Sequence, residues 1–170
     1  DKDKRVKLID LNIGCPAPKI FNNGDGSALL DNPKLIYEIL SKMRSATEKP
    51  LSAKMRLGIN DKKNYIKVAK AIEESGVDFM TVHGRTRNEF YQGLADWEAI
   101  AEINQNVKIP VVGNGDINLD SDINKIKKDY NIESFMIGRG AVGSPWIFKK
   151  LKKELNNEEL LKHRKDIGMI

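Results

Sequence analysis

The segment Arg5-Val6-Lys7-Leu8-Ile9-Asp10-Leu11-Asn12-Ile13-Gly14-Cys15-Pro16 joins an alternating stretch to a tight turn. Apolar and polar side chains alternate from Arg5 to Leu11, which predicts a β-strand. Gly14 and Pro16 end this strand on either side of Cys15, the only cysteine of the chain. The thiol is therefore predicted at a strand end, where a cysteine is either a small buried hydrophobe or a chemically active group.

The same pattern of strand, turn and helix continues along the rest of the chain. Four further strands are predicted at Leu51 to Leu57, Phe79 to His83, Ile109 to Gly113 and Ser134 to Ile137. Helices are predicted from Pro33, with Asp31 or Asn32 as cap, from Tyr65 to Gly76, after the cap Asp96, and from about Leu119 to Lys128. Strands that alternate with helices in repeats of this length indicate parallel βα units.

Residues with reactive or charged side chains lie at the carboxyl ends of the predicted strands or just after them. They are Cys15, Lys54 with Arg56, His83 with Arg85, Asn114 with Asp116, and Gly138 with Arg139. The carboxyl ends of parallel strands share one face, which is where α/β enzymes place their chemistry. We therefore expect these residues to lie close together.

Two architectures fit five parallel strands: a TIM (β/α)8 barrel and an open doubly wound sheet. No strand is followed by the G-x-G-x-x-G fingerprint of dinucleotide-binding folds, which favours the barrel. A closed barrel takes about 250 residues and eight strands, whereas this chain has 170 residues. The fold class predicted here is accordingly an incomplete TIM barrel that comprises about strands 4 to 8.

The composition is typical of a globular domain, with 40% apolar and 31% charged residues. No apolar run approaches the length of a membrane span, and a single cysteine calls for no oxidising compartment, so we expect a cytoplasmic protein without membrane contact. A net charge of +5 fits either a lysine-rich surface or a nucleic acid partner. One cysteine and two histidines offer no metal-ligand spacing, so no metal is expected.

Each strand-end residue has a structural alternative. The glycines around Arg139 could bind a phosphate or only form a turn, and Lys54 could meet a ligand or pair with Asp10 or Asp116. His83 could contact a ligand or be a core histidine. Cys15 could be a nucleophile with His83 as its base, or a protonated thiol that acts as a general acid.

Taken together, the motifs resemble those of the tRNA-dihydrouridine synthases, in particular the bacterial B-type branch. The similarity extends from about Ile9 to Phe148. The matching stretches are Asp10 to Lys19, Gly26 to Leu30, Lys54 to Gly58, Val82 to Arg87, Tyr91 to Gly93 with Ala95 to Trp97, Asn114 to Ile117, and Met136 to Gly140 with Pro145 to Phe148. Seven motifs in the same order make this resemblance specific.

The resemblance implies an FMN-dependent oxidoreductase that reduces uridine in tRNA, with NADPH as reductant. Cys15 matches the cysteine that gives a proton to C5 of uracil. The positions that match FMN-binding residues are Lys54, His83, Asn114, Gly115, Asp116, Gly138 and Arg139. Arg56, Arg85 and Arg87 match the substrate side, while Trp97 and Trp146 are interpreted as helix-packing residues.

The resemblance also implies a domain organisation. Residues 1–150 correspond to a partial catalytic barrel, and residues 151–170 to the start of a connection to a C-terminal helical domain. Because early strands are missing, we expect this segment alone to bind FMN poorly or to leave the barrel open. The alternatives are another FMN barrel oxidoreductase of the dihydroorotate dehydrogenase type and a catalytically inactive RNA-binding fragment.

Overall fold

The computed structural model describes residues 3–153 and contains five strands and six α-helices in that range. The strands are β1 (Ile9–Asn12), β2 (Leu51–Arg56), β3 (Phe79–His83), β4 (Val111–Asn114) and β5 (Ser134–Met136). The helices are α1 (Pro18–Asn22), α2 (Pro33–Ala46), α3 (Tyr65–Glu74), α4 (Trp97–Asn106), α5 (Ile123–Tyr130) and α6 (Ile147–Leu151). Short 3₁₀ helices span Gly26–Asp31 and Arg139–Ala141.

The five strands form one parallel sheet in the order β1-β2-β3-β4-β5. At least one helix separates each strand from the next, which confirms the predicted βα units. Within residues 3–153, β1 and β5 each pair on one side only, so the described sheet does not close on itself.

One hydrophobic core lies between the sheet and the helices. Ala53 and Met55 of β2 are fully buried, as are Leu40 of α2, Ile72 of α3 and Ile100 of α4. Alternation along β2 sends Ser52, Lys54 and Arg56 to the other face of the sheet. The helices therefore cover one face, and the polar side chains of β2 face away from them.

Several local predictions are confirmed. The Asn32 side chain caps α2 by accepting a hydrogen bond from Leu35 N, with Pro33 at the first helical position, and Asp96 caps α4 through Ala99 N. Trp97 is buried against Tyr130 and Phe135. Trp146 is buried against Leu119. Both tryptophans pack as expected.

Other boundaries differ from the prediction. Helix α5 begins at Ile123 rather than near Leu119, because the Asp122 side chain caps it by accepting from Lys125 N. Strand β1 begins at Ile9, where pairing with β2 begins, and not at Arg5. Helix α1 was not predicted. It has only five residues, none of which is buried, and so its sequence shows no apolar periodicity. The segment 151–170 lies largely outside the described residues, and its assignment stays a prediction.

Candidate functional site

The strand register brings the predicted site residues to one edge of the sheet. Asn12 lies opposite Lys54, Arg56 opposite His83, and His83 opposite Asn114. A cavity of about 560 Å³ opens at this edge. Its walls include Cys15, Lys54, Arg56, His83, Asn114, Gly115, Asp116, Gly138 and Arg139. Nine of the eleven predicted site residues therefore share one cavity.

The turn that carries Cys15 is held by hydrogen bonds on both sides. The Asn12 side chain accepts from Gly14 N at 3.0 Å, and Ser27 N donates to Cys15 O at 3.1 Å. A Cβ at Gly26, where φ is +58°, would lie 3.0 Å from Cys15 Cβ, so a glycine is required there. The thiol is half-buried at the cavity wall, and no hydrogen bond joins it to His83 in the described part of the chain.

Lys54 lines the cavity, and among residues 3–153 only the charge of Asp10 acts on it favourably, without a hydrogen bond or ion pair. Its ammonium forms no hydrogen bond or ion pair with any residue between 3 and 153. The two carboxylates considered for it are engaged elsewhere: Asp10 accepts from Ser52 Oγ at 2.6 Å, and Asp116 pairs with Arg85. Burial, helped by the charge of Arg56, lowers the pKa of Lys54 to about 8. The side chain is a half-buried cation available to an electron-rich ligand.

His83 is neutral in the folded protein. It is 6% exposed, and burial lowers its pKa to about 3, with further lowering by the charges of Arg56, Lys54 and Arg85. The negative charge of Asp116 raises the pKa of His83, but by less than burial and the three cations lower it. An imidazolium form is therefore not populated near neutral pH.

Asp116 collects three donors at the turn after β4. Arg85 Nη2 lies 2.7 and 2.6 Å from its two carboxylate oxygens, Ala95 N donates at 2.7 Å, and Arg139 Nη2 at 3.2 Å. Burial opposes ionisation, but these hydrogen bonds and the two guanidinium charges outweigh it and lower the pKa of Asp116. The carboxylate is thus held ionised between two arginines.

The three predicted substrate arginines occupy different places. Arg56 is 2% exposed and donates to the carbonyls of Gly14, Thr86 and Phe90, yet it also lines the cavity. Arg85 and Arg87 are not among the cavity-lining residues. The Arg87 guanidinium stacks 4.0 Å from the centre of the Phe21 ring. The structure therefore brings only Arg56 into the cavity.

Tyr91 is a cavity residue to which the sequence analysis assigned no role. It is 53% exposed, and the guanidinium carbons of Arg139 and Arg56 lie 4.4 and 5.6 Å from the centre of its ring. The stretch Tyr91 to Gly93 belongs to the matched motifs, which was the available signal. This stretch shows no apolar periodicity, so the sequence offered no reason to assign a role to the Tyr91 ring.

Within residues 3–153, no three His, Cys, Asp or Glu side chains are grouped closely enough to hold a metal ion. None of the helices in that range combines the length and apolarity that a membrane span requires.

Sequence comparisons show the family to which this chain belongs. The family model described as "Dihydrouridine synthase (Dus)" matches residues 1–168. The chain belongs to the dihydrouridine synthase family. The family has a TIM-barrel fold, of which the five-stranded parallel sheet is a part.

Curated relatives cover most of this chain. It is 43% identical over 148 residues, or 86% of its length, to a "Probable tRNA-dihydrouridine synthase" of Rickettsia bellii, of which the match covers 45%. It is 43% identical over 84% of its length to a "tRNA-dihydrouridine synthase B" of Pseudomonas aeruginosa, and 39% identical over 94% to one of Proteus vulgaris. These matches cover 43% and 50% of the two relatives. The predicted family and its B-type branch are confirmed, and the chain spans about half the length of the relatives it matches.

Proposed function

We propose that the protein carrying this chain is a tRNA-dihydrouridine synthase, which reduces the C5=C6 bond of uridine in tRNA with FMN and NADPH. The observation that carries the proposal is the shared cavity of Cys15, Lys54, Arg56 and His83 at the carboxyl edge of the sheet. Family membership supports the same activity. A tRNA substrate also supports a cytoplasmic location.

The cavity suits FMN on two structural grounds. Lys54 offers an unpaired ammonium to an anionic or carbonyl group. A Cβ at Gly138 would meet no atom within 4 Å, so the backbone beside Arg139 is open to a ligand. We propose that Lys54, His83, Asn114, Gly115, Asp116, Gly138 and Arg139 hold the cofactor, with Arg139 and the glycine turns on the phosphate side.

The chain's own residues supply positioning and one proton. FMN held there and reduced by NADPH would supply a hydride for C6 of the uracil ring. The Cys15 thiol donates its proton to C5, so that two hydrogen atoms are added across the double bond. The target base must leave its stack to reach the cavity, and we propose that Arg56 and Tyr91, which line the cavity, then contact it.

The decisive experiment measures dihydrouridine in tRNA isolated after reaction with the complete protein. We expect Cys15→Ala to lower the rate at least about a hundredfold while FMN stays bound, because only the general acid is lost. Ser45→Ala is the control, since Ser45 is exposed at the end of α2 on the opposite edge. Unchanged product in Cys15→Ala would reject the assigned proton donor, and RNA binding without product in the unaltered protein would reject the activity.

A further inference from the structure

Arg85 is a buried arginine directly behind the cavity wall. Its side chain is 1% exposed, and each of its three nitrogen atoms has a partner. Nε donates to Gln92 O at 2.9 Å, Nη1 lies 3.3 Å from His83 Nε2, and Nη2 donates to Gly93 O at 2.7 Å as well as to Asp116. Four of its five N–H groups therefore have a protein partner, and Arg85 is not among the residues that line the cavity.

The contact with His83 determines where the imidazole carries its proton. A guanidinium has donors and no acceptor, so His83 Nε2 must be the acceptor in this hydrogen bond. The single ring proton of the neutral imidazole is then on Nδ1.

The charges around His83 favour the same state. Lys54 and Arg56 approach from β2, Arg85 from the turn after β3, and Asp116 from the turn after β4. The Tyr91 ring lies 6.4 Å away, centre to centre. Three cations against one carboxylate, which is itself paired with Arg85 and Arg139, disfavour a second proton on the ring.

The same guanidinium also joins two loops. Through Gly93 O and Gln92 O it holds the segment that follows Tyr91, and through Asp116 it holds the turn after β4. Asp116 has a φ of +54°, a left-handed conformation that is unfavourable for a residue with a side chain. The three donors on its carboxylate offset that cost.

We propose that Arg85 is a positioning residue that keeps His83 as the neutral, Nδ1-protonated imidazole and holds the 91–95 segment and Asp116 around the cavity. His83 then has no free acceptor nitrogen and cannot take the proton of Cys15. The thiol keeps its proton, as a general acid requires. This consequence for catalysis rests on the proposed function, whereas the tautomer does not.

The test is ¹⁵N NMR of the histidine rings in the complete protein, with the His83 signals assigned by their loss in His83→Gln. We expect the Nδ1–H pattern at His83, unchanged between about pH 5.5 and pH 8. An Nε2–H pattern or a doubly protonated ring in the unaltered protein would overturn the proposal without any Arg85 variant.

Two variants distinguish the effect of the Arg85 hydrogen-bond donors from the effect of its positive charge. Arg85→Met removes the donors at similar length, and we expect His83 to lose its single tautomer and to titrate at higher pH. Arg85→Lys retains the charge, and we expect a partial return towards the original spectrum. If Arg85→Met folds and leaves the His83 spectrum unchanged, Arg85 does not set the tautomer.

Arg44→Met is the matched control. Arg44 likewise joins a carboxylate, Asp78, to two carbonyls, those of Thr47 and Lys49, but at the opposite end of the sheet. We expect it to affect stability and leave the His83 spectrum unaltered. In the dihydrouridine assay, Arg85→Met should lower kcat at least tenfold with a smaller effect on KM, and Arg85→Lys should recover part of the loss. If Cys15→Ala proves fully active, the proposed proton donor fails while the NMR result remains interpretable.

Discussion

Asn12 of β1 lies directly opposite Lys54 of β2, and Ile13 N donates to Lys54 O at 2.9 Å. Lys54 and Cys15 both line the cavity at this edge of the sheet. The cation that we assign to the cofactor thus lies in β2, and the thiol that we assign to the substrate lies in the turn after β1, the neighbouring strand. Their proximity follows from the parallel register.

We expect Lys54 to make binding of the proposed FMN cofactor dependent on pH. Its pKa is about 8 in the ligand-free protein, and a bound anion would raise it, so FMN binding would be accompanied by proton uptake above that pH. We expect FMN affinity to fall about tenfold between about pH 7 and pH 9, measured by quenching of flavin fluorescence. Lys54→Arg should bind with little pH dependence in that range, because a guanidinium stays charged. An equally steep fall in Lys54→Arg would assign the effect to another group.

His83 makes the fold sensitive to acid. Its pKa is about 3 when folded and near the ordinary value of 6.5 when unfolded, so unfolding takes up a proton between these limits. Stability is therefore lost as pH falls from about 6.5 towards 3, by at most about 1.4 kcal/mol per pH unit for this group.

Urea unfolding at several pH values measures this dependence. His83→Gln does not titrate and should lose less stability than the unaltered protein between about pH 6.5 and pH 4.5. Parallel curves for the two proteins would show that His83 does not carry the shift.

Gly115 has no room for a side chain. A Cβ there would overlap the Cβ of Ala95, and its φ of +142° is unfavourable for other residues. We expect Gly115→Ala to cost about 1 to 3 kcal/mol and to weaken FMN binding, because the loop must move. Gly24→Ala is the control, since Gly24 has a φ of +83° but nothing within 4 Å of an added Cβ. Equal stability losses in thermal melts would mean that backbone conformation, and not the close contact, determines the effect.

Asp96 combines a helix cap with an ion pair. Its side chain accepts from Ala99 N at 2.8 Å and from Lys62 Nζ at 2.7 Å. We expect Asp96→Ala to lower the free energy of unfolding by about 1 to 2 kcal/mol, as loss of a cap does. Asn32→Ala removes a cap without an ion pair and should cost about 1 kcal/mol or less. A smaller loss in Asp96→Ala than in Asn32→Ala would contradict a contribution from Lys62.

Much of the fold could be predicted because its signals are local. The alternation along β2, the cap at Asp96 and the glycine–proline turn around Cys15 each depend on neighbouring residues. The alternation of strands with helices predicted a parallel sheet. A parallel sheet in turn brings the carboxyl ends of its strands to one edge. Helix α5 shows the limit of prediction from local pattern. The apolar pattern extends back to Leu119, but the helix begins only at Ile123, after the cap at Asp122.

The roles of individual charged residues depended on contacts between distant segments. Arg56 and Arg85 both follow strand ends, and nothing local distinguishes them. Asp116 lies thirty-one positions after Arg85, and both of its carboxylate oxygens accept from Arg85 Nη2. This ion pair keeps Arg85 behind the cavity wall, while Arg56 faces the cavity. The sequence by itself therefore determined the five strands, four of the six described α-helices, their order and the family. Only the tertiary structure decided that Lys54 forms no ion pair within residues 3–153, that His83 is neutral and that Arg85 is buried, because burial and ion pairing arise where separate strands meet.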